Sequence, residues 1–251
     1  APVNAVVSGN EFKNVTDHGS AHASPIFIAN TYGASTTQKV ENLTIEENVF
    51  SSVAPPAVRF DSWDHPATAA NYINVAVNEH SFEGVTGPIM VDFAITSEAG
   101  PLNATFNWWG TAVAEEIEDL FSGNVNYSPW YTEAAMVNLA YLPIQNTNTG
   151  NYYKTIQAAI DAATAGDTIQ VAAGTFSENL TIDKKLTLTG SGDGVDGTVI
   201  NPASGNVINL TGGGTAADDR LVIEGVRLEC GTTSNGIYTN STISYITIKD
   251  V

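Results

Sequence analysis

Three stretches in the first half of the chain repeat one pattern of apolar and polar positions. In each, two apolar residues stand one apart, a polar turn follows, and a Phe comes five positions after the second apolar residue. The stretches run over 5–15, 43–53 and 75–85, and their aromatic residues are Phe12, Phe50 and Phe82. The alternation is typical of half-buried strands, and a 3.6-residue period is missing from these stretches. Short strands repeating at irregular offsets, here 38 and 32 residues, predict the stacked coils of a β-solenoid.

A helical pattern stands past the middle of the chain. Four apolar residues fall at positions i, i+3, i+4 and i+7, namely Ile156, Ala159, Ile160 and Ala163. This spacing predicts a short amphipathic helix near 153–165, and we expect Gly166 to end it. Short strands follow as TIQV, LTI and LTLTG. The helix is therefore predicted to cover the first coil of a second solenoid.

Aromatic residues between these two patterns predict a cap. Trp108 and Trp109 are followed by Trp130, and the intervening EEIEDLF predicts a short helix whose apolar face holds Ile117, Leu120 and Phe121. Such a cluster could bind sugars or close a hydrophobic core. We favour the cap, because an uncovered last coil exposes strand edges and apolar side chains.

The chain is accordingly predicted to have three segments. Residues 1–131 form the last coils and cap of a first solenoid, and 151–251 form the cap helix and first coils of a second. Residues 132–150, which pass from apolar to a polar Asn/Thr/Gly run, are predicted as a linker. The two caps are expected to meet at a central junction.

The stretch from Tyr153 to Gly190 (YKTIQAAIDAATAGDTIQVAAGTFSENLTIDKKLTLTG) resembles the N-terminal entry of right-handed parallel β-helices of the pectin-lyase-like superfamily. The coils of the first half are similar to the parallel β-helix repeats of that superfamily, and NWWG followed by YSPW is similar to its closing segment. The resemblance implies an all-β fold, a right-handed parallel β-helix. It implies no activity, because this fold carries lyases, hydrolases, epimerases, esterases, phage adhesins and surface stalks.

Both ends of the sequence are predicted to be open coils. Ala1 comes almost directly before a repeat strand, and Val251 closes another. We expect one of two explanations. Either these residues are a segment of a longer protein with β-helices in series, or the coil near Val251 stacks on the coil near Ala1 of a neighbouring copy and builds a filament.

Charge limits the classes of partner. The formal net charge is −18, with only nine Lys and Arg, which argues against nucleic acid and against an anionic membrane surface. The sequence contains no apolar run long enough for membrane insertion. Acidity favours solubility outside the cell, so we expect a secreted or cell-surface protein.

The single cysteine and the glycosylation sequons are explained by structural roles. Cys230 stands in the apolar context VRLEC, which predicts a buried structural thiol. Seven sequons could accept glycans, at Asn14, Asn42, Asn103, Asn126, Asn179, Asn209 and Asn240. We favour the view that their Asn residues make turns and their Thr or Ser residues enter strands.

The densest polar and aromatic cluster is RFDSWDH, residues 59–65, within an insert expected to leave the coils between Ser51 and Ile73. As a carbohydrate site it would offer Trp63 for stacking and Asp61 or Asp64 as acid or base, beside Arg59 and His65. The alternative is a surface loop whose Trp covers the solenoid flank, and we favour that alternative.

Catalytic motifs of the superfamily do not support an enzyme. The N-T-D, G-H-G and R-I-K motifs of polygalacturonase-like hydrolases are missing, and Asp218, Asp219 and Arg220 stand in a Gly-rich turn without the other parts. Pectate-lyase-like enzymes need calcium-binding acids beside an Arg base, to which Arg59 with Asp61 and Asp64 is the nearest approach. The pectin-esterase pattern is not recognisable.

Calcium is the one cofactor left open. Asp193 and Asp196, in SGDGVDGT, could bind it, although Gly-Asp turns are also common for conformational reasons. The four His residues show no metal-ligand spacing. Two functions therefore remain: a structural or adhesive module that assembles with copies of itself, and a domain that binds or degrades polysaccharide.

Overall fold

A computed structural model of the chain describes residues 5–15, 24–29, 40–53, 56–61, 72–73, 75–85, 91–93, 102–123 and 125–251. The protein is nearly all β, and it is built of many short, mostly parallel strands. It divides into two compact units, Ala1–Tyr141 and Leu142–Val251. Within the described ranges, no helix is long and apolar enough to cross a membrane.

The first unit contains sixteen short strands and one helix among its described residues. In chain order these are β1 (Ala5–Ser8), β2 (Glu11–Lys13), β3 (Ile26–Ala29), β4 (Val40–Glu41), β5 (Leu43–Glu46), β6 (Val49–Ser51), β7 (Val58–Asp61), β8 (Tyr72–Ile73), β9 (Ala76–Asn78), β10 (Ser81–Glu83), β11 (Val91–Phe93), β12 (Leu102–Asn103), α1 (Ala114–Glu118), β13 (Phe121–Ser122), β14 (Val125–Asn126), β15 (Trp130–Tyr131) and β16 (Leu139–Ala140).

Three parallel sheets make up most of this unit, in the orders β1-β5-β9-β12-β14, β2-β6-β10 and β3-β7-β11-β13. Successive strands of the chain go to successive sheets, and each return lands one place further along. This order is that of a solenoid-like arrangement, in which each coil hydrogen-bonds to the next. The two-residue strands β4 and β8 form a separate parallel pair.

An aromatic stack fills the interior of the first unit. Phe12, Phe50 and Phe82 lie in register on β2, β6 and β10, with ring centroids 5.0 and 4.9 Å apart. Trp109 extends the stack at 4.9 Å from Phe82. The Phe of each repeat thus points inward, as the pattern predicts. Trp109 is a fourth member of the stack, and its ring also contacts Phe121, from which ring contacts continue through Tyr127 to Trp130.

Helix α1 is shorter than the sequence pattern predicts. It ends at Glu118, and Phe121 instead enters β13, which pairs in parallel with β11. Ile117 is fully buried, so the helix does contribute to the core. The residues after the helix extend as a strand and pair with β11. Strands β15 and β16 follow as an antiparallel pair.

The second unit repeats the three-sheet arrangement after an antiparallel entry. Its elements are β17 (Ile144–Asn146), β18 (Tyr152–Tyr153), α2 (Ile156–Ala162), β19 (Thr168–Val171), β20 (Gly174–Phe176), β21 (Leu180–Ile182), β22 (Thr187–Thr189), β23 (Thr198–Ile200), β24 (Ile208–Leu210), β25 (Leu221–Glu224), β26 (Val226–Leu228), β27 (Ile237–Tyr238) and β28 (Ile246–Lys249). The sheet orders are β18-β17-β19-β22-β25-β28, β20-β23-β26 and β21-β24-β27. Strand β17 lies within the range predicted as a linker, 132–150, and pairs antiparallel with both β18 and β19.

Helix α2 lies against the first strands of this unit, namely β17, β18, β19 and β21. Its buried face holds Ile156, Ala159 and Ile160, the apolar positions that predict it. It ends at Ala162 rather than near Gly166, because the backbone of Ala163 is extended.

Both ends of α2 are held by charged side chains from the coils. The Glu178 carboxylate accepts hydrogen bonds from the backbone N–H groups of Ile156 and Gln157, at 2.9 and 3.0 Å. Lys184 Nζ donates to the carbonyls of Ile160 and Ala163, each at 3.2 Å. An acid at the N-terminus and a base at the C-terminus complement the helix dipole and satisfy end groups that the helix itself leaves unpaired.

Candidate functional site

The sequence-predicted cluster over residues 59–65 is described only in part. Arg59 and Asp61 belong to β7, which pairs with β3 on one side and β11 on the other. The expectation that the insert leaves the coils before this point is therefore wrong, because 58–61 is a coil strand. Trp63, Asp64 and His65 lie outside the described residues, and the carbohydrate site stays a prediction.

The candidate calcium ligands lie on one exposed turn. Asp193 and Asp196 both project from the turn between β22 and β23. Backbone bonds close this turn, from Gly197 N to Gly194 O and from Thr198 N to Gly192 O, each at 2.9 Å. Nowhere in the described ranges do three or more His, Cys, Asp or Glu side chains gather as a metal site. Calcium binding at Asp193 and Asp196 stays a prediction.

Cys230 is exposed, so the prediction of a buried thiol is wrong. Strand alternation after Val226 and Leu228 would have pointed residue 230 inward, but β26 ends at Leu228 and the chain turns outward. Its Sγ lies 3.6 Å from the carbonyl oxygen of Ser234.

A ladder of polar side chains runs beside the aromatic stack of the first unit. Its members are Asn10, Asn48, His80 and Asn107, each two residues before an aromatic ring of the stack. The residue before each has a left-handed backbone: Gly9, Glu47, Glu79 and Phe106, with φ between 54° and 66°. The turn therefore places one polar side chain beside the stack at every repeat. Asn48, His80 and Asn107 are fully buried, whereas Asn10 is exposed.

Asn48, His80 and Asn107 each accept a backbone N–H from the coil before it. Asn48 Oδ1 accepts from Asn10 N at 2.9 Å, and Asn107 Oδ1 accepts from His80 N at 2.7 Å. The amide groups also donate, Asn107 Nδ2 to the carbonyls of Val77 and Ala104 at 2.8 and 2.7 Å. Buried polar groups are thus satisfied between coils, and they fix the register of the stack.

His80 is the exception among these rungs. Its Nδ1 accepts the backbone N–H of Asn48 at 3.0 Å, which places the ring proton on Nε2. Nε2 is buried and makes no hydrogen bond to any residue that the structure describes. Burial lowers the pKa of His80 to about 4, against smaller opposing contributions from the backbone at Asn48 and Ile45. The repeat alignment already places His80 in the column of Asn10 and Asn48, and that was the signal for its role.

A groove of about 370 Å³ on the second unit is its candidate concave site. Its polar lining comes from three separate turns: Gly166, Lys185, Thr187, Asp218, Asp219 and Arg220. Lys185 pairs with Asp219, and Thr215 Oγ1 donates to the same carboxylate. The hydrogen bond from Lys185, the largest cause, lowers the pKa of Asp219.

The charged side chains of this groove mostly bond to other groups of the protein. Arg220 donates from Nε to the carbonyl of Ala217 at 2.9 Å and from Nη1 to that of Ile246 at 3.2 Å. Two cations face two carboxylates, so the groove carries no net charge. Asp218 is exposed and is the acid most open to a ligand.

In the second unit, a row of apolar side chains in register on successive strands ends on an exposed residue, and we call this row the inward ladder. Ile169, Leu188, Ile223 and Ile248 lie in register on β19, β22, β25 and β28. The first three are fully buried, whereas Ile248 is 48% exposed. Strand β28 pairs with β25 on one side, and on its other side faces no strand of the described chain.

Strand β28 is joined to β25 by an ion pair as well as by its backbone. Lys249 Nζ lies 2.6 Å from Glu224 Oε2, and this hydrogen bond raises the pKa of Lys249. Tyr238, Tyr245 and Val251 add exposed apolar surface to the same coil. Within the described chain, β28 is thus the last strand of this sheet, and its Ile248 is half-exposed.

Comparison with known proteins gives no family for the chain. No family model matches the sequence, and neither a curated protein nor a solved structure matches it.

Proposed function

We propose that this chain is a structural β-helix module of a secreted or cell-surface protein, which stacks end to end on copies of itself. The observation that supports this most is the inward ladder of the second unit, which passes from fully buried Ile223 to half-exposed Ile248. We further propose that the coils are right-handed and of the pectin-lyase-like type. Crossovers between parallel strands of one sheet are nearly always right-handed, and the stretch over α2 to β22 resembles the entry to such helices.

Strand β1 is the proposed occupant of the free edge of β28. In the first unit, Ala5 and Val7 pair with Leu43 and Ile45 of β5. In the second, Leu221 and Ile223 pair with Ile246 and Ile248 in the same relative register. Strand β1 of a second copy can therefore lie on β28 with Val7 beside Ile248, and the apolar ladder continues through it into Ile45.

The charges beside β28 and the burial of the Ile248 side chain both agree with this pairing. Ser8 of the second copy would lie next to Lys249, which already pairs with Glu224, so like charges do not meet. Fully covering an Ile side chain contributes about 1.5–3 kcal/mol, and Ile248 is half-covered already. The backbone bonds of a new parallel strand add to that gain, as in β-strand addition.

The test is the concentration dependence of particle size for three proteins in a reducing buffer, since Cys230 is exposed. The unmodified chain is expected to form longer particles as concentration rises, seen by sedimentation velocity and electron microscopy. Ile248→Lys should stay monomeric, because a charge would then be buried at the interface. Val195→Lys is the matched control, since Val195 is 77% exposed on a turn away from β28.

A chain that stays monomeric at every concentration contradicts self-stacking. Equal assembly of Ile248→Lys and the unmodified chain contradicts the choice of β28 as the docking edge.

The second candidate function is polysaccharide binding, and the observation that favours it is the groove beside Lys185 and Arg220. Titration with neutral and acidic polysaccharides, followed by calorimetry, tests it. Arg220→Gln should weaken binding to acidic sugars. Release of unsaturated products or new reducing ends would show an enzyme instead.

A further inference from the structure

The polar ladder contains one rung that can change its charge. Asn10, Asn48 and Asn107 carry neutral amides, which accept with oxygen and donate with nitrogen at any pH. His80 holds its place only as a neutral imidazole, because Nδ1 must accept the Asn48 N–H. A protonated imidazole has two N–H donors and no acceptor, so its Nδ1–H would point at another donor.

Around His80 only the backbone at Asn48 and Ile45 favours a charged ring, and burial outweighs that contribution. The ring is fully buried and lies between Phe50 and Phe82, with both centroids 5.6 Å away. Its second nitrogen, Nε2, is buried without a partner in the described chain.

Among the residues that the structure describes, no carboxylate compensates for such a charge. On the coil before His80 the acids are Glu46 and Glu47, and on its own coil they are Glu79 and Glu83. The coil after it, residues 102–110, carries no charged residue. Glu47, Glu79 and Glu83 are exposed and Glu46 is half-buried, and none of them contributes to the pKa of His80.

We propose that His80 makes the junction between the coils of residues 43–53 and 75–85 acid-sensitive, so that mild acid breaks the Asn48–His80 bond and opens the first unit there. We call this contact the His80 junction. It is independent of the stacking proposed above, because it lies inside one unit.

The direction of the pH effect follows from linkage. The ordinary pKa of 6.5 applies when the junction is open, and the pKa of about 4 applies when it is closed. The open state therefore binds the extra proton between these values. The stability from a neutral His80 is complete above pH 6.5 and is lost as the pH falls toward 4. Between pH 7 and pH 5 the opening equilibrium constant should rise about 20-fold.

The experiment is amide hydrogen exchange of the full chain at pH 7 and pH 5, compared with His80→Asn. Asparagine restores the side chain found at the other three rungs and cannot titrate. We expect residues 43–53 of the unmodified protein to lose about 20-fold of their protection relative to His80→Asn between the two pH values. Residues 207–228 of the second unit should show no such difference. Equal pH dependence of 43–53 in both proteins would overturn the proposal, because carboxylates would then be responsible.

A second measurement does not depend on the variant folding. NMR titration of the His80 ring in the unmodified chain should give a pKa near 4 while the first unit is folded. A ring that titrates near 6.5 with the Asn48 amide still protected would overturn the proposal.

Discussion

Ile223 and Ile248 are partners in register on neighbouring parallel strands, yet Ile223 is fully buried and Ile248 is 48% exposed. In a solenoid an inward side chain is covered by the coils above and below it. Ile223 has Leu188 on one side and Ile248 on the other. Ile248 has Ile223 alone among the described residues, and that difference locates the surface on which the proposed function depends.

Truncating these two residues should have unequal costs. Ile223→Ala leaves a cavity in a closed core and is expected to lower the free energy of unfolding by about 2–5 kcal/mol. Ile248→Ala should cost about 1 kcal/mol or less at low protein concentration, because half of its surface is already in water. Urea unfolding of both variants below the concentration at which particles form gives the comparison. Equal costs would mean that Ile248 is covered in the single chain.

Glu178 should contribute more to the stability of the second unit than its position on a turn suggests. Glu178→Ala removes the acceptor for two N–H groups at the start of α2 and is expected to destabilise the second unit by about 1–2 kcal/mol. Glu178→Gln keeps one side-chain acceptor and should cost less. Chemical denaturation measures both, with Asp193→Ala as the exposed control. If Glu178→Ala and Asp193→Ala are equally mild, the carboxylate does not hold the helix.

Gly190 is placed where two coils approach too closely for any side chain. A Cβ there would lie 2.2 Å from the carbonyl oxygen of Gly225 and 2.7 Å from Val226 Cγ1. Gly190→Ala is therefore expected to cost about 1–3 kcal/mol or more. Gly194→Ala, where a Cβ meets nothing within 4 Å, should change stability by about 0.5 kcal/mol at most. Thermal unfolding of the pair checks the close packing, which equal melting temperatures would contradict.

The hydrogen-bond partners of Asp167 should affect its pKa to different degrees. Its pKa is lowered first by the hydrogen bond from Asn146 Nδ2 at 2.8 Å, and further by those from Thr164. Its contribution to stability is therefore present above the ordinary carboxyl range and is lost as the pH falls through its lowered value. In NMR titrations of the Asp167 carboxyl, Asn146→Ala should raise the pKa more than Thr164→Val does. The reverse order would show that Asn146 is not the main partner.

Repeated local patterns explain why part of the fold could be predicted from the sequence. Phe12, Phe50 and Phe82 mark the stack because each turn places the same residue at the same offset. The fourth repeat keeps that offset, with Ala104 five positions before Trp109, but it has a Trp in place of the Phe, so the Phe pattern does not mark it. His80 occupies the same position of the repeat as Asn10 and Asn48, three residues after the second apolar residue.

The features that the sequence did not predict depend on where strands end or on distant turns. Cys230 is exposed because β26 stops at Leu228, and no local pattern marks that stop. The groove joins Gly166, Lys185 and Asp219, which only the coil stacking brings together.

The most direct test of the stacking proposal is cross-linking between two single-cysteine proteins in a Cys230→Ser background. One protein carries Ile248→Cys and the other Val7→Cys, and the two are mixed and mildly oxidised. The proposed register places these positions side by side, so a mixed disulfide dimer should form rapidly. Val6→Cys is the matched control: Val6 is more exposed, at 61%, but a strand side chain one position along points to the other face. Efficient cross-linking of Val7→Cys with Ile248→Cys, and little with Val6→Cys, is the predicted result. Equal or absent cross-linking of the two pairs would contradict end-to-end stacking in this register.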